Sequence, residues 1–497
     1  MLIRHLLCVF FACLTLAGCA TSKFSNTKKY QVEDFVTSPA SCHQWFNQLD
    51  RIVDRDGARD FGPTMVEDYP FLRVNRFLAS FGDSIEANEA SYNRWITSMS
   101  ILNQESREIE ILNLSERAVA MFGVGRDELQ NITNKCSIHL TQALIERQNT
   151  EMVRLRSRAV VPDEYNRLKQ VVGLYSLLKF PFSEGISDWH EEAQSTFDRY
   201  EIGNPDGLPR VRYVADSIGR LSLLEVKKLL SKRDALGQLI LQPDDIYKLF
   251  STYAPTFTVE DTGDFDRIGA VKFSDSQDVV IDANLATVYT HLAYTRFEGK
   301  TLPQLVYAVW FSARPKSGWI DLLGGHLDGI IWRVTLDHDG VPLIYDSIHS
   351  CGCYHMFFPS ERLEPIAPPS ERIEWSFSPK QLQSNLDNLV IDLTVQSKSH
   401  YLASVTMDAG SPVDDNKRYV MQSYDRLRSL ESGRGQKNLF GYEGIVKGTQ
   451  RNERFILWPS GIRSPGAMRQ WGRHATAFVG RRHFDGPRLF ERYYQRQ

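Results

Sequence analysis

The spacing of the apolar residues changes near residue 255, and this change constrains the fold more than any other feature of the chain. Apolar residues that recur three, four or seven positions apart form one face of a helix. The stretch SIEANEASYNRWITSMSILN shows this spacing at Ile85, Tyr92, Trp95, Ile96, Met99 and Leu102. Later, Ser222 and Glu225 form a capping-box pattern ahead of another apolar face. The pattern predicts helices from residue 39 to 252.

Beyond that point the apolar residues alternate with their neighbours, as they do in strands that bury one face. GIIWRVTL and VPLIYDSIH are two such runs, and the turn signal Asp339-Gly340 between them predicts a hairpin. NLVIDLTVQ, TLPQLVYAVWF and HATAFVGRRHF have a similar strand-like composition. The expected fold class is therefore α+β, with a helical domain over 39–252 and a β-rich domain over 253–497.

The first nineteen residues, MLIRHLLCVFFACLTLAGC, predict a secretory signal peptide. A positive charge at Arg4 precedes an apolar run over residues 6–16, which is too short to span a bilayer. The following residues, 20–38, are polar and are expected to form a tether.

The end of this segment, Leu16-Ala17-Gly18-Cys19, resembles the lipobox of bacterial lipoproteins. The resemblance implies cleavage before Cys19, acylation of that cysteine and anchoring to a membrane. Ala20 in the second position of the mature chain implies the outer membrane, with the body facing the periplasm. The alternative is an ordinary secreted protein whose signal happens to end in cysteine.

Charge is distributed unevenly along the mature chain. Residues 434–497 carry 13 Lys/Arg and 4 Asp/Glu, a net charge of +9, whereas residues 20–433 carry −13. Such a basic C-terminal segment can meet the phosphates of an anionic envelope component. Alternatively, it packs on the acidic remainder of the same chain. An envelope protein is not expected to bind nucleic acid.

The cysteines fit an oxidising compartment. Of seven, Cys8 and Cys13 leave with the signal and Cys19 carries lipid, so Cys42, Cys136, Cys351 and Cys353 remain. Cys42 and Cys136 both lie in predicted helices, which favours a disulfide between them. The second expected disulfide then joins Cys351 to Cys353.

The second pair lies in HSCGCYH, residues 349–355, for which three interpretations remain open. In an extended strand His349, Cys351, Cys353 and His355 share one face, and Gly352 can bend the chain so that the thiols converge. Convergence allows a structural disulfide, a pair of metal ligands, or a strained disulfide with redox activity.

A metal site would draw on further residues of the same half. GGHLDG supplies His326 and Asp328 at strand spacing, and His400, His474 and His483 complete the local histidines. The predicted ligand set is His326, Asp328, His349 and His355, which suits zinc or copper. Each histidine alone is more often a hydrogen-bonded structural group than a ligand.

LDGIIWRVTL, YDSIHSCGCYHMFFP and RQWGRHATAFVGRRHF make the second half similar to a set of uncharacterised bacterial envelope proteins. No activity is established for that set, so the resemblance implies a location and no reaction. The chain has no G-x-S-x-G elbow, Walker A loop or G-x-G-x-x-G motif. The leading expectation is a lipid-anchored protein with a binding or assembly role. The alternatives are a metal-dependent hydrolase at the predicted ligand set and a thiol–disulfide module at Cys351 and Cys353.

Overall fold

The computed structural model describes residues 38–82, 85, 88–215, 220–318, 321–369, 372–384, 390–408 and 416–497. The predicted signal peptide, the lipidation residue Cys19 and nearly all of the tether therefore lie outside the described residues. Among the described helices, none is both long and apolar enough to cross a membrane.

The fold is α+β, as predicted, with most helices in the N-terminal half and a large sheet in the C-terminal half. The helices are α1 (Pro39–Asp56), α2 (Arg76–Ala79), α3 (Glu89–Asn113), α4 (Glu116–Ala120), α5 (Arg126–Glu146), α6 (Gln148–Arg158), α7 (Arg167–Val172), α8 (Tyr175–Glu201), α9 (Leu223–Leu230), α10 (Pro243–Thr252) and α11 (Arg454–Leu457). Short 3-10 turns lie at Asp264–Asp266, Tyr424–Arg428, Tyr442–Gly444, Trp458–Ser460 and Phe490–Arg492.

Helix α3 buries the predicted apolar face. Tyr92, Trp95 and Met99 are fully buried, and the Asn88 side chain accepts a hydrogen bond from the Ala90 N–H at the start of the helix. The capping box is also confirmed: Ser222 and Glu225 exchange hydrogen bonds at the start of α9. These helices form because the capping residues and the spacing of the buried apolar residues specify the same helical segment.

A disulfide joins Cys42 of α1 to Cys136 of α5, as predicted. Both sulfurs lie in a core made of residues 42–159, with Leu236 added from later in the chain. The bond closes a segment of 94 positions, and closing so long a loop removes much of the freedom of the unfolded chain.

Ten strands form one mixed sheet in the order β11-β10-β9-β8-β7-β15-β3-β4-β13-β14. Its strands are β3 (Arg210–Ala215), β4 (Thr256–Glu260), β7 (Thr287–Phe297), β8 (Lys300–Arg314), β9 (Gly325–Leu336), β10 (Pro342–His349), β11 (Met356–Pro359), β13 (Val390–Val395), β14 (Leu402–Asp408) and β15 (Asn416–Ser423). Smaller pairs are formed by β1 (Thr64–Val66) with β2 (Tyr69–Val74), β5 (Ala270–Phe273) with β6 (Val279–Asp282), β12 (Leu363–Pro365) with β18 (Tyr494–Arg496), and β16 (Leu430–Ser432) with β17 (Gly435–Lys437).

Both faces of the large sheet are covered. One face packs against α8, α9 and α10 through residues such as Phe197, Val226 and Leu249. The opposite face packs under the C-terminal segment, through Tyr424, Phe440 and Phe484 among others. This double burial explains why β8 is a nearly continuous apolar run rather than an alternating one.

The predicted β9–β10 hairpin is confirmed, with Ile330 opposite His349 and Leu336 opposite Pro342. NLVIDLTVQ and TLPQLVYAVWF supply β13 and β8. HATAFVGRRHF, in contrast, is largely irregular and forms one isolated bridge, Ala475 to His483.

The large sheet also contains β3, which lies inside the predicted helical domain and pairs with both β15 and β4. Apart from Leu236, the first hydrophobic core ends at Ala159, and the core around the sheet begins at Ala193. Elements α8, β3, α9 and α10 therefore pack with the sheet, and the domain boundary at residue 252 stays a prediction.

Candidate functional site

A cleft lies where the helical core meets the sheet and its C-terminal covering segment. Its cavity has a volume of about 280 Å³, near the lower end of the roughly 300–1,000 Å³ typical of small-molecule sites. The lining residues come from the segments 62–63, 75–78, 94–105, 238, 291–294, 304, 424–428, 470–472 and 485. Helix α3 and strand β7 both contribute lining residues, from Arg94 to Glu105 and from His291 to Tyr294.

Aromatic rings line the sheet side of the cleft. His291 of β7 lies 5.1 Å from Trp471 and 6.0 Å from Tyr424, measured between ring centroids. The Tyr424 hydroxyl accepts a hydrogen bond from the Trp471 N–H and fixes that segment against the sheet. Burial lowers the pKa of His291 to about 4, so its imidazole is neutral at physiological pH.

Glu105 of α3 provides a carboxyl group in the cleft. The Glu105 side chain is exposed at the cleft, where nearby protein atoms partly desolvate its carboxyl and Asp425 repels a second negative charge. Together these effects raise the pKa of Glu105 to about 7. A carboxyl group in this range is present in both its protonated and its ionised form near neutral pH, so it can donate or accept a proton.

The floor of the cleft is built on a buried ion pair between the two halves of the chain. Arg428 donates to the Asp60 carboxylate at 2.5 Å, and Gln470 donates to the other oxygen of Asp60 at 2.7 Å. Arg428 also pairs with Asp425 at 2.6 Å. Asp60 thereby holds two cleft residues that lie far apart in sequence.

Several buried polar atoms around the cleft have no hydrogen-bond partner among the described residues. They are Nη1 of Arg76, Nε of Arg428 and Oε1 of Gln470. Buried polar groups in folded proteins are normally hydrogen-bonded. Two donors and one acceptor are therefore available to a ligand or to ordered water.

Two residues of the predicted metal set do lie together, but in a hydrogen-bonded network. Nδ1 of His400 is 3.0 Å from one oxygen of Asp328, and Nδ1 of His349 is 3.5 Å from the other. Nε2 of His400 is 3.4 Å from Asp266, and its ring stacks on Phe311 at 4.0 Å. The His400 imidazole thus bridges two buried carboxylates.

The other predicted ligands lie elsewhere. His355 contacts Asp346 at 2.9 Å in a separate cluster, and His326 is exposed at the start of β9. His474 contacts the Ser350 carbonyl, and His483 contacts Asp163. No group of three or more His, Cys, Asp or Glu side chains suited to a metal ion exists among the described residues. The set His326, Asp328, His349 and His355 is therefore not assembled, and zinc or copper binding stays a prediction.

HSCGCYH is a hairpin turn rather than an extended strand. The His349 N–H donates to the Cys353 carbonyl, and Gly352 has φ +92°, a conformation that favours glycine. The expected Cys351–Cys353 disulfide is not formed: both residues are free, buried thiols. The Cys353 N–H instead donates to Cys351 Sγ at 3.4 Å, so this sulfur caps the turn.

These thiols do not have the environment of a reactive cysteine. A hydrogen bond to Cys351, together with burial, holds the pKa of Cys353 well above its ordinary value. Redox-active cysteines instead need an accessible thiolate. The arrangement therefore disfavours the thiol–disulfide interpretation.

The basic C-terminal segment is partly neutralised within the chain. Arg473 pairs with Glu164, Arg481 with Asp163 and Arg482 with Glu374, all acids from outside the segment. These pairs support the alternative in which the segment packs on the acidic remainder. Arg454, at the start of α11, instead lies with its guanidinium over the exposed ring of Phe455.

Sequence reasoning did not single out Glu105, His291 or Trp471 as site residues. Each lies in a different segment without a local motif, and only the fold brings them to one cavity. The one sequence signal for this cleft was the uneven charge of the chain. A basic C-terminal segment and an acidic remainder are expected to contact each other, and the cleft lies where they meet. No protein-family model, curated protein or solved structure matches the chain.

Proposed function

We propose that this protein is a lipid-anchored envelope protein whose body binds a small, neutral, polyhydroxylated ligand, such as a glycan fragment, in the cleft. The observation that carries the proposal is the cavity of about 280 Å³ with two unpartnered donors and one unpartnered acceptor around it. A ligand that fills these hydrogen bonds relieves groups that are otherwise desolvated and unpaired.

The charge balance of the cleft favours a neutral ligand. Each lining arginine already has a carboxylate nearby: Arg76 has Asp485 at 3.5 Å, Arg94 has Asp234 at 2.5 Å, and Arg428 has Asp60 and Asp425. A strongly charged ligand would have to compete with these pairs. Hydroxyl and acetamido groups can instead form hydrogen bonds with the unpaired donors and acceptor. The Trp471 and His291 rings offer apolar contact area.

The test is calorimetric titration with the β-1,4-linked disaccharide of N-acetylglucosamine. We expect Trp471→Ala and Glu105→Gln to weaken binding by at least about tenfold, the effect of losing one good contact of roughly 1.4 kcal/mol. Trp458→Ala is the matched control, because Trp458 lies outside the cleft, and it should bind as the wild type does. Absence of binding, or equal binding by all three variants, would refute a glycan-binding cleft.

A hydrolase is the second candidate function, and Glu105 is the observation that favours it. A carboxyl group with a pKa of about 7 can protonate a leaving-group oxygen. In the same titration, hydrolysis would appear as continued heat release that Glu105→Gln abolishes. The metal-dependent hydrolase has no comparable support, because its predicted ligands are not brought together.

The lipid anchor is proposed from the sequence alone, on the lipobox-like residues that end in Cys19. Stable anchoring takes more than one acyl chain, since a single chain binds membranes only marginally. We expect the wild-type chain to stay in the outer-membrane fraction after a high-salt wash, and Cys19→Ser to be released from it. If the two chains fractionated alike after the wash, the anchor would have to be abandoned.

A further inference from the structure

Helices α7 and α8 meet at an elbow that exposes a continuous set of large apolar side chains. These are Leu168, Val171, Val172, Leu174, Leu177 and Phe180, with exposed fractions between 47 and 71 %. Scattered exposed leucines are normal on a protein surface, but six within thirteen positions are not. The local helices leave this face without packing partners among the described residues.

A second segment extends the same face. The Asn166 N–H donates to the Gly461 carbonyl, and the Gln170 side chain donates to the Ser460 carbonyl, both at 2.8 Å. Gly173 packs so closely on Pro459 that an added Cβ would lie 2.7 Å from the Pro459 Cβ. The exposed residues Phe455, Ile456 and Trp458 therefore lie beside the elbow, and both segments together form one surface, here called the apolar face.

Most charges around the apolar face are positive, although the exposed Glu184 lies one turn beyond Phe180. Residues 166–183 contain Arg167, Lys169 and Lys179 and no acid, and residues 454–469 contain Arg454, Arg463 and Arg469 and no acid. Arg463 is paired, with Glu443, and Arg469 is buried. The Lys179 ammonium and the Arg372 guanidinium lie 5.7 and 5.2 Å from the centroid of the Phe180 ring, so the cations border the apolar residues.

The tip of the elbow has a conformation that is unusual for its residue type. Leu174 has φ +51°, in the left-handed region that a leucine rarely adopts, and its side chain is 63 % exposed. Such backbone strain persists where the surrounding structure holds it, and it is concentrated at functional positions. The strained residue here lies at the junction of two helices and exposes an apolar side chain.

We propose that the apolar face docks onto an anionic lipid bilayer. Leucine, phenylalanine and tryptophan bordered by lysine and arginine are typical of segments that lie in a membrane interface, with the rings and aliphatic chains in the acyl region and the cations at the headgroup phosphates. The like charge of this face opposes pairing with a second copy of the chain, and lysine is depleted in protein–protein interfaces. An anionic membrane complements both its apolar and its charged residues.

This docking does not depend on ligand binding in the cleft, and it adds a second membrane contact to the proposed anchor at Cys19. Arg454, which belongs to the basic C-terminal segment, would then contact the anionic headgroups of the bilayer, as the charge of that segment predicts. The body would lie with the elbow against the bilayer rather than hang freely from its tether.

The test is vesicle co-sedimentation with the chain from Ala20 to Gln497, which keeps every described residue and carries no lipid. We expect binding to phosphatidylglycerol vesicles to be at least about tenfold stronger than to phosphatidylcholine vesicles. Val171→Asp combined with Leu177→Asp should reduce binding to the anionic vesicles by at least about tenfold. Leu224→Asp is the matched control, because this leucine is exposed on α9, and it should bind as the wild type does.

Two outcomes would overturn the proposal. The first is that the wild-type chain does not sediment with anionic vesicles, or sediments equally well in the double variant. The second is concentration-dependent dimerisation that the double variant abolishes, which would assign the apolar face to a second copy. Disaccharide binding by the double variant is measured in parallel. It tests the cleft independently of the apolar face, so that failure of one proposal leaves the other testable.

Discussion

Replacing Asp60 by asparagine is expected to lower the free energy of unfolding by about 3–5 kcal/mol, the usual cost of removing one partner from a buried ion pair. The Asp60 carboxylate is fully buried and lies between Arg428 and the equally buried Arg73, whose Nη1 is 3.7 Å away. An amide cannot compensate Arg428, because its other partner, Asp425, is 53 % exposed. Arg73, in contrast, keeps the buried Glu110 at 2.5 Å. The amide would also disturb the bond from Gln470 that positions the floor of the cleft.

Denaturant unfolding at pH 7 measures this effect, and Asp54→Asn provides the control. Asp54 also pairs with an arginine, Arg59, but its side chain is 62 % exposed. Its replacement should cost less than about 1 kcal/mol, as for other exposed pairs. Similar losses in the two variants would show that burial does not determine the contribution of Asp60.

The same pair predicts how stability depends on acid. Burial alone would raise the pKa of Asp60, but Arg428 and Arg73 outweigh burial and hold the pKa well below its ordinary value. The stabilisation is therefore complete above the unfolded pKa of about 3.9 and is lost as the pH falls through the folded value. Asp60→Asn removes this dependence, so the difference between wild type and variant should shrink below pH 4.

Asp346→Asn is expected to have the second large effect, again about 3–5 kcal/mol. Arg333 donates two hydrogen bonds to the Asp346 carboxylate, at 2.8 and 2.5 Å, and all three members of the cluster, including His355, are fully buried. Burial lowers the pKa of His355 to about 3, so the histidine is already neutral. It therefore cannot offset the loss of the Asp346 charge by giving up a proton. The Arg333 cation would remain buried without a counter-ion.

The control for this cluster is Asp339→Asn. Asp339 pairs with Arg362 at 2.8 Å, yet it is 38 % exposed and lies in the turn between β9 and β10. Thermal and denaturant unfolding of both variants should show a loss of less than about 1 kcal/mol for Asp339→Asn. A loss for Asp346→Asn no larger than for this control would mean that Arg333 finds another partner, such as the Phe484 carbonyl that it already contacts.

Features encoded by neighbouring residues were predictable from the sequence. The β9–β10 hairpin follows from alternation and the Asp339-Gly340 turn, and the Cys42–Cys136 disulfide from two cysteines within the same helical half. The helix around residues 162–181 shows the limit. The spacing of its apolar residues predicts one helix that ends at Pro181. The structure instead interrupts the helix at Leu174 and continues α8 through Pro181 to Glu201.

Features that depend on distant partners were not predictable. RVRYVA becomes an inner strand of the sheet because β15, some 200 positions later, pairs beside it. The alternation in HSCGCYH predicts a strand, and no local residue indicates that this stretch is the turn between the paired strands β10 and β11. The expected Cys351–Cys353 bond was therefore wrong. The cleft draws on segments from 62 to 485, so no single stretch of sequence could indicate it.

The distance along the chain between Asp60 and its partners determines when the cleft can form. Arg428 and Gln470 follow Asp60 by 368 and 410 positions, so neither contact exists until nearly the whole chain is available. The first core, in contrast, takes all but one of its buried residues from positions 42–159 and can assemble early, with its disulfide closed. Folding should thus proceed from the N-terminal core to the sheet, with the cleft completed last. A chain truncated before residue 470 would keep the first core but could not form the cleft.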